Sequence, residues 1–262
     1  MSAGTAVVTG ASSGIGLELA RLLARDGYDL VLVARSVDKL ERLGAELAQQ
    51  HGIRARAVGA DLASPDAPGA IAETLKQAAL QVDVLVNNAG YGTSGPFATT
   101  DLRTELDLLQ VNVIALTHLT KLLLPAMVAG KRGRILNVAS TAAFQPGPFM
   151  AVYYASKAYV LSFSEALAEE LSGTGVTVTT LCPGPVPTGF QARAGVNRTR
   201  LVRTPLVMNA AAVARAGYTG LMKGKRLVVP GLGNKLLVQS ERVAPRLLVT
   251  KIARFLQEQL RS

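Results

Sequence analysis

Two adjacent tyrosines and a lysine are the side chains best suited in this sequence to proton transfer. Lys157 follows Tyr153 by four residues and Tyr154 by three. On a helix, both spacings bring the ammonium group beside a phenol. Tyrosine, with an ordinary pKa of about 10, is a poor base at neutral pH, but a nearby positive charge favours its phenolate form. The spacing predicts a general acid–base pair and leaves either tyrosine as the reacting group.

A glycine-rich segment at residues 9–16, TGASSGIG, has the composition of a phosphate-binding turn. Gly10 permits a tight turn, Gly14 lets the backbone approach a pyrophosphate, and Gly16 allows a helix to pack closely on a strand. Turns use glycine freely, so the triplet alone is weak evidence. Here it follows an apolar, β-branched run and opens a stretch of helical period. That context predicts that phosphates bind at a helix N-terminus.

Seven short apolar runs alternate with longer segments of helical period. They cover residues 6–9, 30–33, 57–58, 84–86, 135–138, 176–179 and 227–229. Strands that are apolar on both faces belong in a parallel sheet covered by helices on each side. Ser64 followed by Pro65 favours the start of one of these helices. The pattern predicts an α/β protein with a Rossmann-like, doubly wound parallel sheet of about seven strands, helices on both faces, and a C-terminal helical extension at about residues 234–262.

The 262 residues are interpreted as one domain, because no linker-like stretch divides them. The first strand-like run starts at Thr5, which leaves no room for a signal sequence, and no unbroken apolar run approaches about 20 residues. Cys182 is the only cysteine, so no intrachain disulfide can form. His51 and His118 lack ligand spacing, so we expect no metal site. These features predict a cytoplasmic protein.

The positive charge of the chain lies in its last quarter. Residues 1–190 contain 14 Lys and Arg against 16 Asp and Glu, whereas residues 191–262 contain 14 against 2. Such a segment could contact nucleic acid, an anionic membrane or an acidic partner. Its charges are scattered among Leu, Val and Ile, without the aromatic residues that stack on bases. We therefore expect solvated helix faces and no nucleic-acid partner, with membrane contact as the less favoured alternative.

The spacing of the glycine segment, TGxxxGIG, resembles that of the short-chain dehydrogenase/reductase family. Further landmarks follow in the family's order over residues 5–230: Asn87-Asn88-Ala89-Gly90, Asn112, Ser140, Tyr153 with Lys157, and the segment from Pro183 to Thr188. The resemblance implies an oxidoreductase that moves a hydride between a nicotinamide and a carbonyl or alcohol carbon of a small-molecule substrate. The rival interpretation is a noncatalytic NADP-binding sensor, and retention of all four chemical residues argues against it.

The resemblance also implies roles for these residues. Its YxxxK spacing, and a serine thirteen positions before the tyrosine, select Tyr153 as the acid–base and make Tyr154 a packing or pocket residue. Ser140 is expected to donate a hydrogen bond to the substrate oxygen. Asn112 is expected to hold a water molecule that connects Lys157 to solvent.

The cofactor preference depends on the end of the second predicted strand. Ala34 lies at the position where the NAD-preferring relatives have aspartate in common. Arg35 and Ser36 could instead contact a 2′-phosphate. NADP(H) is therefore the expected cofactor. Asp61 and Leu62 would flank the adenine, and the carboxamide would contact the segment after the sixth strand. In full, the implied cofactor contacts are Gly10, Ser12, Ser13, Gly14, Ile15, Gly16, Arg35, Ser36, Asp61, Leu62, Asn87, Ala89, Gly90, Tyr153, Lys157, Pro183, Gly184, Val186 and Thr188.

The sequence defines the substrate pocket less closely. The segment between Phe190 and Met208 is lid-like, and its arginines could bind a carboxylate or phosphate or stay solvated. These arginines are Arg193, Arg198, Arg200 and Arg203. The candidate pocket residues lean apolar, which predicts an apolar substrate. They are Tyr91, Phe97, Phe144, Phe149, Phe190 and Met208.

Two helical stretches at about residues 235–243 and 246–260 combine apolar residues at helical intervals with basic ones. We expect their apolar face to pack on the sheet edge or on a second subunit. The alternatives are a cover for the substrate entrance and contact with an anionic surface. The chain continues for some 30 residues beyond Pro230, where tetrameric family members commonly end. A homodimer through the helices around 102–128 and 149–172 is therefore predicted.

Overall fold

A seven-stranded parallel sheet forms the centre of the protein. The computed structural model describes residues 2–187, 200 and 204–258. The sheet has the order β3-β2-β1-β4-β5-β6-β7, and each neighbouring pair is parallel. The strands are β1 Gly4–Thr9, β2 Tyr28–Ala34, β3 Ala55–Gly59, β4 Val82–Asn87, β5 Gly133–Val138, β6 Val176–Leu181 and β7 Leu227–Val228. This order confirms the predicted doubly wound fold.

Helices cover both faces of the sheet and continue past its last strand. One layer contains α1, α2 and α7, and the other contains α3 to α6. A π-helical turn, Gln110–Ala115, joins α4 to α5. The helices are α1 Gly14–Arg25, α2 Val37–His51, α3 Ala67–Gln77, α4 Leu102–Leu109, α5 Leu116–Ala129, α6 Ala151–Glu170, α7 Ala210–Met222, α8 Leu232–Val243 and α9 Arg246–Gln257.

The central strands are apolar on both faces because each face meets a helix layer. In β1, Ala6 and Val8 pack in the core beneath α1, α2 and α7, whereas Val7 packs beneath α3 and α5. All three side chains are fully buried. Successive residues of a strand point to opposite faces, so a strand covered on both sides reads as a continuous apolar run. That is why these runs could be assigned to strands.

The start of α3 differs from the sequence-based expectation. The helix begins at Ala67, with Asp66 at the N-cap position and Pro68 within the first turn. Ser64 instead lies in a turn, where its N–H donates to the carbonyl oxygen of Asp61 at 2.9 Å. A proline is tolerated in the first turn of a helix because its missing N–H would have no partner there. The chain offers two prolines, and the second occupies this position.

Within the described residues, the helical stretch Leu102–Ala129 has the length and apolar composition of a membrane span. It contains 28 residues, and the mean hydropathy of its most apolar window is 1.6. Core helices of proteins that span no membrane meet the same criteria. Here Val111, Leu119 and Met127 are buried against the sheet. Packing in the fold therefore accounts for part of this apolar composition.

Candidate active site

The carboxyl ends of the parallel strands border a cavity of about 590 Å³. The strand order reverses its direction between β1 and β4, which is where open α/β sheets bind ligands. The lining extends from the glycine segment after β1 to Ser140 after β5 and Val186 after β6. One cavity thus brings together the dinucleotide-binding and catalytic residues that the sequence predicted separately.

Two positive-φ residues and one close contact shape the glycine segment. Gly10 has φ 66°, and Gly14, the first residue of α1, has φ 59°. Glycine adopts both conformations without steric penalty. A Cβ atom on Gly16 would lie only 2.4 Å from the carbonyl oxygen of Gly10. Thr9 Oγ1 accepts a 3.0 Å hydrogen bond from the N–H of Asn88 and so ties this segment to the end of β4.

Most of the predicted cofactor residues line the cavity. Gly16 packs behind the glycine segment, and Thr188 lies outside the described residues. The expectation for Asn87 needs correction, because its amide donates to side chains of α5 and β5, at 3.0 and 2.9 Å, and not into the cavity. Alternation at the strand end makes Asn88 the lining residue instead. The predicted residues that line the cavity are Gly10, Ser12, Ser13, Gly14, Ile15, Arg35, Ser36, Asp61, Leu62, Ala89, Gly90, Tyr153, Lys157, Pro183, Gly184 and Val186.

Tyr153, Ser140 and Lys157 meet in this cavity. Tyr153 lies in the first turn of α6, and its side chain is hydrogen-bonded with that of Ser140. Lys157, one turn further along α6, donates from Nζ to the carbonyl oxygen of Val138 at 2.9 Å. The same Nζ lies 5.9 Å from the centre of the Tyr153 ring. The contact with Ser140 distinguishes Tyr153 from Tyr154, which the helical spacing alone could not do.

Burial controls the charge of these two groups. It raises the pKa of Tyr153, and the hydrogen bond with Ser140 opposes that rise only in part. It lowers the pKa of Lys157 to about 8. We expected Lys157 to lower the pKa of Tyr153. Burial instead raises this pKa, and its effect is larger than any lowering by Lys157. The Tyr153 phenol is therefore protonated at neutral pH.

Comparison with known proteins identifies the family. The family model for short chain dehydrogenase matches residues 4–198. A very-long-chain 3-oxoacyl-CoA reductase from Bos taurus is 36% identical over 182 residues, which are 68% of this chain and 58% of that protein. Ketoacyl reductase HetN from Nostoc sp. is 35% identical over 204 residues, which are 77% of this chain and 71% of that protein. The chain thus spans about three fifths of the length of the bovine relative.

A solved structure agrees with these matches. The short-chain dehydrogenase from Sphingobium yanoikuyae in complex with NADPH is 34% identical, with a TM-score of 0.82 over 92% of this chain and 94% of that chain. This chain belongs to the short-chain dehydrogenase family. Membership confirms the resemblance inferred from the motifs and the Rossmann-like fold. Family members are oxidoreductases that interconvert CH–OH and C=O groups with NAD(P), and the cavity holds the residue types that this chemistry needs.

Asn112 of this short-chain dehydrogenase lies in the π-helical turn between α4 and α5. Both backbone groups of Tyr91 hold its amide: Nδ2 donates to the carbonyl oxygen at 3.0 Å, and Oδ1 accepts from the N–H at 3.1 Å. A Cβ atom on Gly90 would lie 3.0 Å from Asn112 Oδ1 and 3.3 Å from Lys157 Nζ. The missing side chain of Gly90 therefore leaves a gap beside both groups. The water-holding role of Asn112 stays a prediction, and π turns are frequent at functional sites.

The C-terminal helices of the dehydrogenase form a wall of the cavity. Leu237 of α8 and Ile252, Leu256 and Gln257 of α9 line it. Gln257 Nε2 donates to the hydroxyl oxygen of Tyr154. The sequence favoured packing of these helices against the sheet edge or a second subunit, with a cover over the substrate entrance as an alternative. The structure places one face of these helices at the cavity, as that alternative required.

Among the described aromatic residues predicted for the pocket, Tyr91 lines the cavity. The predictions for the other described pocket residues require correction. Phe97 is 67% exposed, and Phe149 packs beside an arginine of α9. Phe144 and Met208 pack against hydrophobic core clusters. Composition identified apolar side chains but could not give their direction. Phe190, Arg193, Arg198 and Arg203 lie outside the described residues.

Proposed function

We propose that this protein uses NADPH to reduce the ketone of a long-chain 3-oxoacyl thioester to an alcohol. One observation carries the proposal: a single cavity contains Tyr153 bonded to Ser140, the neighbouring Lys157, a glycine segment and an apolar wall from α8 and α9. A noncatalytic nucleotide sensor would need the glycine segment, but it would not need the proton-transfer residues or the apolar wall.

The residues around the cavity fit NADP(H). The first residues of α1 line it, and the N–H groups of a first helical turn, which lack partners within the helix, bind a pyrophosphate well. Arg35 and Ser36, directly after β2, are exposed at the cavity and offer donors to a 2′-phosphate. Ala34 carries no carboxylate that would repel this phosphate. The set of donors therefore favours NADP(H) over NAD(H).

Proton transfer in the proposed reaction is carried out by groups of this chain. Bound NADPH supplies the hydride that the carbonyl carbon accepts. Ser140 and Tyr153 donate hydrogen bonds to the carbonyl oxygen, where negative charge develops. Tyr153 then gives its proton to that oxygen, and the ammonium group of Lys157 stabilises the remaining phenolate. In this proposal Asn112, whose Oδ1 lies near Lys157 beside Gly90, supports the return of a proton.

Tyr153 is in the protonation state that the proposed reduction requires. Reduction requires an acid beside the carbonyl oxygen, whereas oxidation requires a base beside the alcohol. Burial raises the pKa of Tyr153, so at neutral pH the side chain holds the proton that reduction consumes. The pKa of Lys157, lowered to about 8, still leaves its ammonium form predominant at pH 7.

The apolar wall supports an extended acyl chain as substrate. Leu206, Leu237, Ile252 and Leu256 line the cavity. The bovine and Nostoc relatives carry the names 3-oxoacyl-CoA reductase and ketoacyl reductase. Burial of each methylene group contributes about 0.8 kcal/mol, which corresponds to a factor of about 4 in affinity. Selectivity for long chains should follow from this lining.

A chain-length series tests the proposed function. NADPH oxidation is followed with 3-oxoacyl thioesters from four carbons upwards, and kcat/KM is expected to rise up to about 4-fold per added methylene until the cavity is filled. A flat series would contradict the apolar acyl substrate. Absence of NADPH oxidation across aldehydes, ketones and 3-oxoacyl thioesters, despite normal NADPH binding, would favour the sensor.

Arg35→Ala is expected to weaken NADPH binding about 10- to 100-fold and to leave NADH binding almost unchanged. The reason is that the guanidinium group forms charge-assisted hydrogen bonds with a phosphate that NADH lacks. Fluorescence titration with both nucleotides measures the ratio of the two dissociation constants. Arg42→Ala, which removes an exposed arginine from α2, serves as the control and should change neither constant. Equal weakening of both nucleotides by Arg35→Ala would show that Arg35 supports the loop instead.

We also propose a homodimer through α4, α5 and α6, because apolar side chains lie exposed along this surface. Arg103 Nε contacts Asp107 Oδ1 there at 3.0 Å, so these two charges offset each other. A surface with several exposed apolar side chains suits contact with a second copy of itself. A monomeric mass in analytical ultracentrifugation at micromolar concentration would contradict this assembly. The exposed residues are Leu102, Leu106, Ile114, Leu122 and Tyr159, which are 40 to 69% exposed.

A further inference from the structure

The outer surface of α8 and α9 is apolar and exposed in the described part of the chain. These two helices have one side at the cavity and the other in solvent. A patch of this kind, built from large aliphatic and aromatic side chains on consecutive helices, marks an interaction surface. We call it the docking face. It consists of Leu232, Leu236, Val243, Leu247, Leu248, Ile252 and Phe255, which are 50 to 85% exposed.

Basic residues accompany the docking face without acidic counterparts. Lys235, Arg246 and Lys251 are exposed and, among the described side chains, have no carboxylate within ion-pair distance. The two acidic residues in and directly after these helices do not offset these charges. Glu258 is paired with Arg200 at 3.5 Å and Arg254 at 3.4 Å. Both carboxyl oxygens of Glu241, the acidic residue of α8, are buried. The surface is therefore both apolar and positively charged.

We propose that the docking face binds an anionic lipid bilayer. Helices with an apolar face flanked by Lys and Arg lie in the plane of a membrane interface, with the apolar side chains inserted below the headgroups. The long stems of lysine and arginine let their charges stay at headgroup level while the neighbouring apolar residues insert. The charge of the docking face is complementary to anionic headgroups.

The same charge argues against a second copy of the chain as the occupant. A two-fold contact would place the docking face against itself and bring Lys235, Arg246 and Lys251 towards the same residues of the partner. Like charges in such an interface cost free energy. On the surface of α4, α5 and α6, Arg103 is paired with Asp107, and exposed residues of both signs, Lys121 and Glu165, are present. The two exposed apolar surfaces thus differ in the partner that they fit.

Docking would set the cavity beside the lipid. Ile252 belongs to both surfaces, since it is 50% exposed and also lines the cavity. Leu237, Leu256 and Gln257 line the cavity from the same two helices. An apolar substrate could therefore pass from the bilayer to the catalytic groups with little exposure to water. This use of the docking face depends on the proposed function, whereas membrane binding itself does not.

Co-sedimentation with vesicles tests the proposal. Vesicles of phosphatidylcholine alone are compared with vesicles that contain an equal part of phosphatidylglycerol. We expect binding to the anionic vesicles at low salt, weak binding to the neutral ones, and release at about 1 M salt, where the screening length is about 3 Å. Failure of the full-length protein to sediment with anionic vesicles at low salt would overturn the proposal.

A charge-reversal variant identifies the surface responsible. The combined changes Lys235→Glu, Arg246→Glu and Lys251→Glu are expected to lower the partition coefficient at least about 100-fold, because each basic residue near the surface contributes about 1 kcal/mol. The matched control replaces three exposed basic residues elsewhere, Arg42, Lys76 and Lys223, by glutamate. It should change the partition coefficient less than about 3-fold. Equal effects of the two variants would show that net charge alone, and not this face, binds the vesicles.

The apolar contribution is tested separately. Leu247→Ser removes a side chain that is 80% exposed on α9 and is expected to lower binding to anionic vesicles about 10-fold. The control is Phe97→Ser, which changes a side chain that is 67% exposed on a different surface. It should have no effect on vesicle binding. If Leu247→Ser changes the mass in analytical ultracentrifugation but not vesicle binding, the face is a contact between copies and the proposal is wrong.

Activity separates docking from the proposed function. All these variants should reduce a short, water-soluble 3-oxoacyl thioester at the wild-type rate, because none of the changed residues lines the cavity. Loss of vesicle binding with this activity intact supports docking. An inactive wild-type protein that still binds anionic vesicles would refute the proposed function and leave the docking face standing.

Discussion

Tyr153→Phe is expected to lower kcat for ketone reduction by about 1000-fold while the dissociation constant of NADPH changes less than about 3-fold. The substitution removes the hydroxyl group that is bonded with Ser140 and leaves the ring in its buried position. A positioned general acid contributes about 100- to 10,000-fold to a proton-transfer step. Steady-state rates and fluorescence titration with NADPH measure the two quantities independently.

Tyr154→Phe is the matched control, since it removes the same atom from the next residue of α6. The Tyr154 hydroxyl accepts a hydrogen bond from Gln257 of α9 at the cavity wall. Loss of this hydrogen bond should therefore change KM for long substrates and leave kcat within about 3-fold of the wild-type value. If Tyr154→Phe abolishes turnover and Tyr153→Phe remains active, the assignment of the acid is wrong.

Gly16→Ala is expected to weaken NADPH binding at least about 100-fold, which corresponds to about 2.7 kcal/mol. A Cβ atom at this position would lie 2.4 Å from both the carbonyl oxygen of Gly10 and the side-chain nitrogen of Asn88. Because the first of these contacts is with backbone, the glycine segment must move away from α1. The pyrophosphate would then lose the shape of its binding turn. Titration with NADPH provides the measurement.

Gly69→Ala makes the same chemical change in α3, where an added Cβ atom has no neighbour within 4 Å. We expect unchanged NADPH binding and a stability equal to the parent or higher by about 0.5 to 1 kcal/mol, since alanine loses less backbone entropy in a helix. Normal NADPH affinity in Gly16→Ala would show that the dinucleotide does not bind at the glycine segment.

The sequence alone was enough to predict the sheet and the chemical residues. Strands buried on both faces, such as β1 with Val7 and Val8, reveal themselves as continuous apolar runs. The glycine segment was recognisable because its three glycines lie just after a strand and in the first turn of the helix that follows, where each has a local steric role. The lysine after the tyrosines was recognisable from helical spacing. All of these signals depend on residues close together in the chain.

Side-chain direction at the ends of strands could not be predicted in the same way. Asn87 and Asn88 are adjacent and chemically identical, yet one bonds to α5 and β5 and the other lines the cavity. Phe97 is exposed and Phe144 packs against a core cluster, although both were expected in the pocket. Composition shows that a residue is apolar, but the neighbouring elements decide which way it points.

The sequence by itself determined the parallel sheet, the glycine segment and the pairing of a tyrosine with Lys157, because each is encoded in local periodicity or spacing. Only the tertiary structure decided that Tyr153 meets Ser140, that α8 and α9 line the cavity, and that their outer face stays exposed. Those contacts join residues far apart in the chain, such as Tyr154 and Gln257. The helical period of α9 showed that it had an apolar face, but not what would cover it, because that depends on the packing of α9 against the rest of the protein.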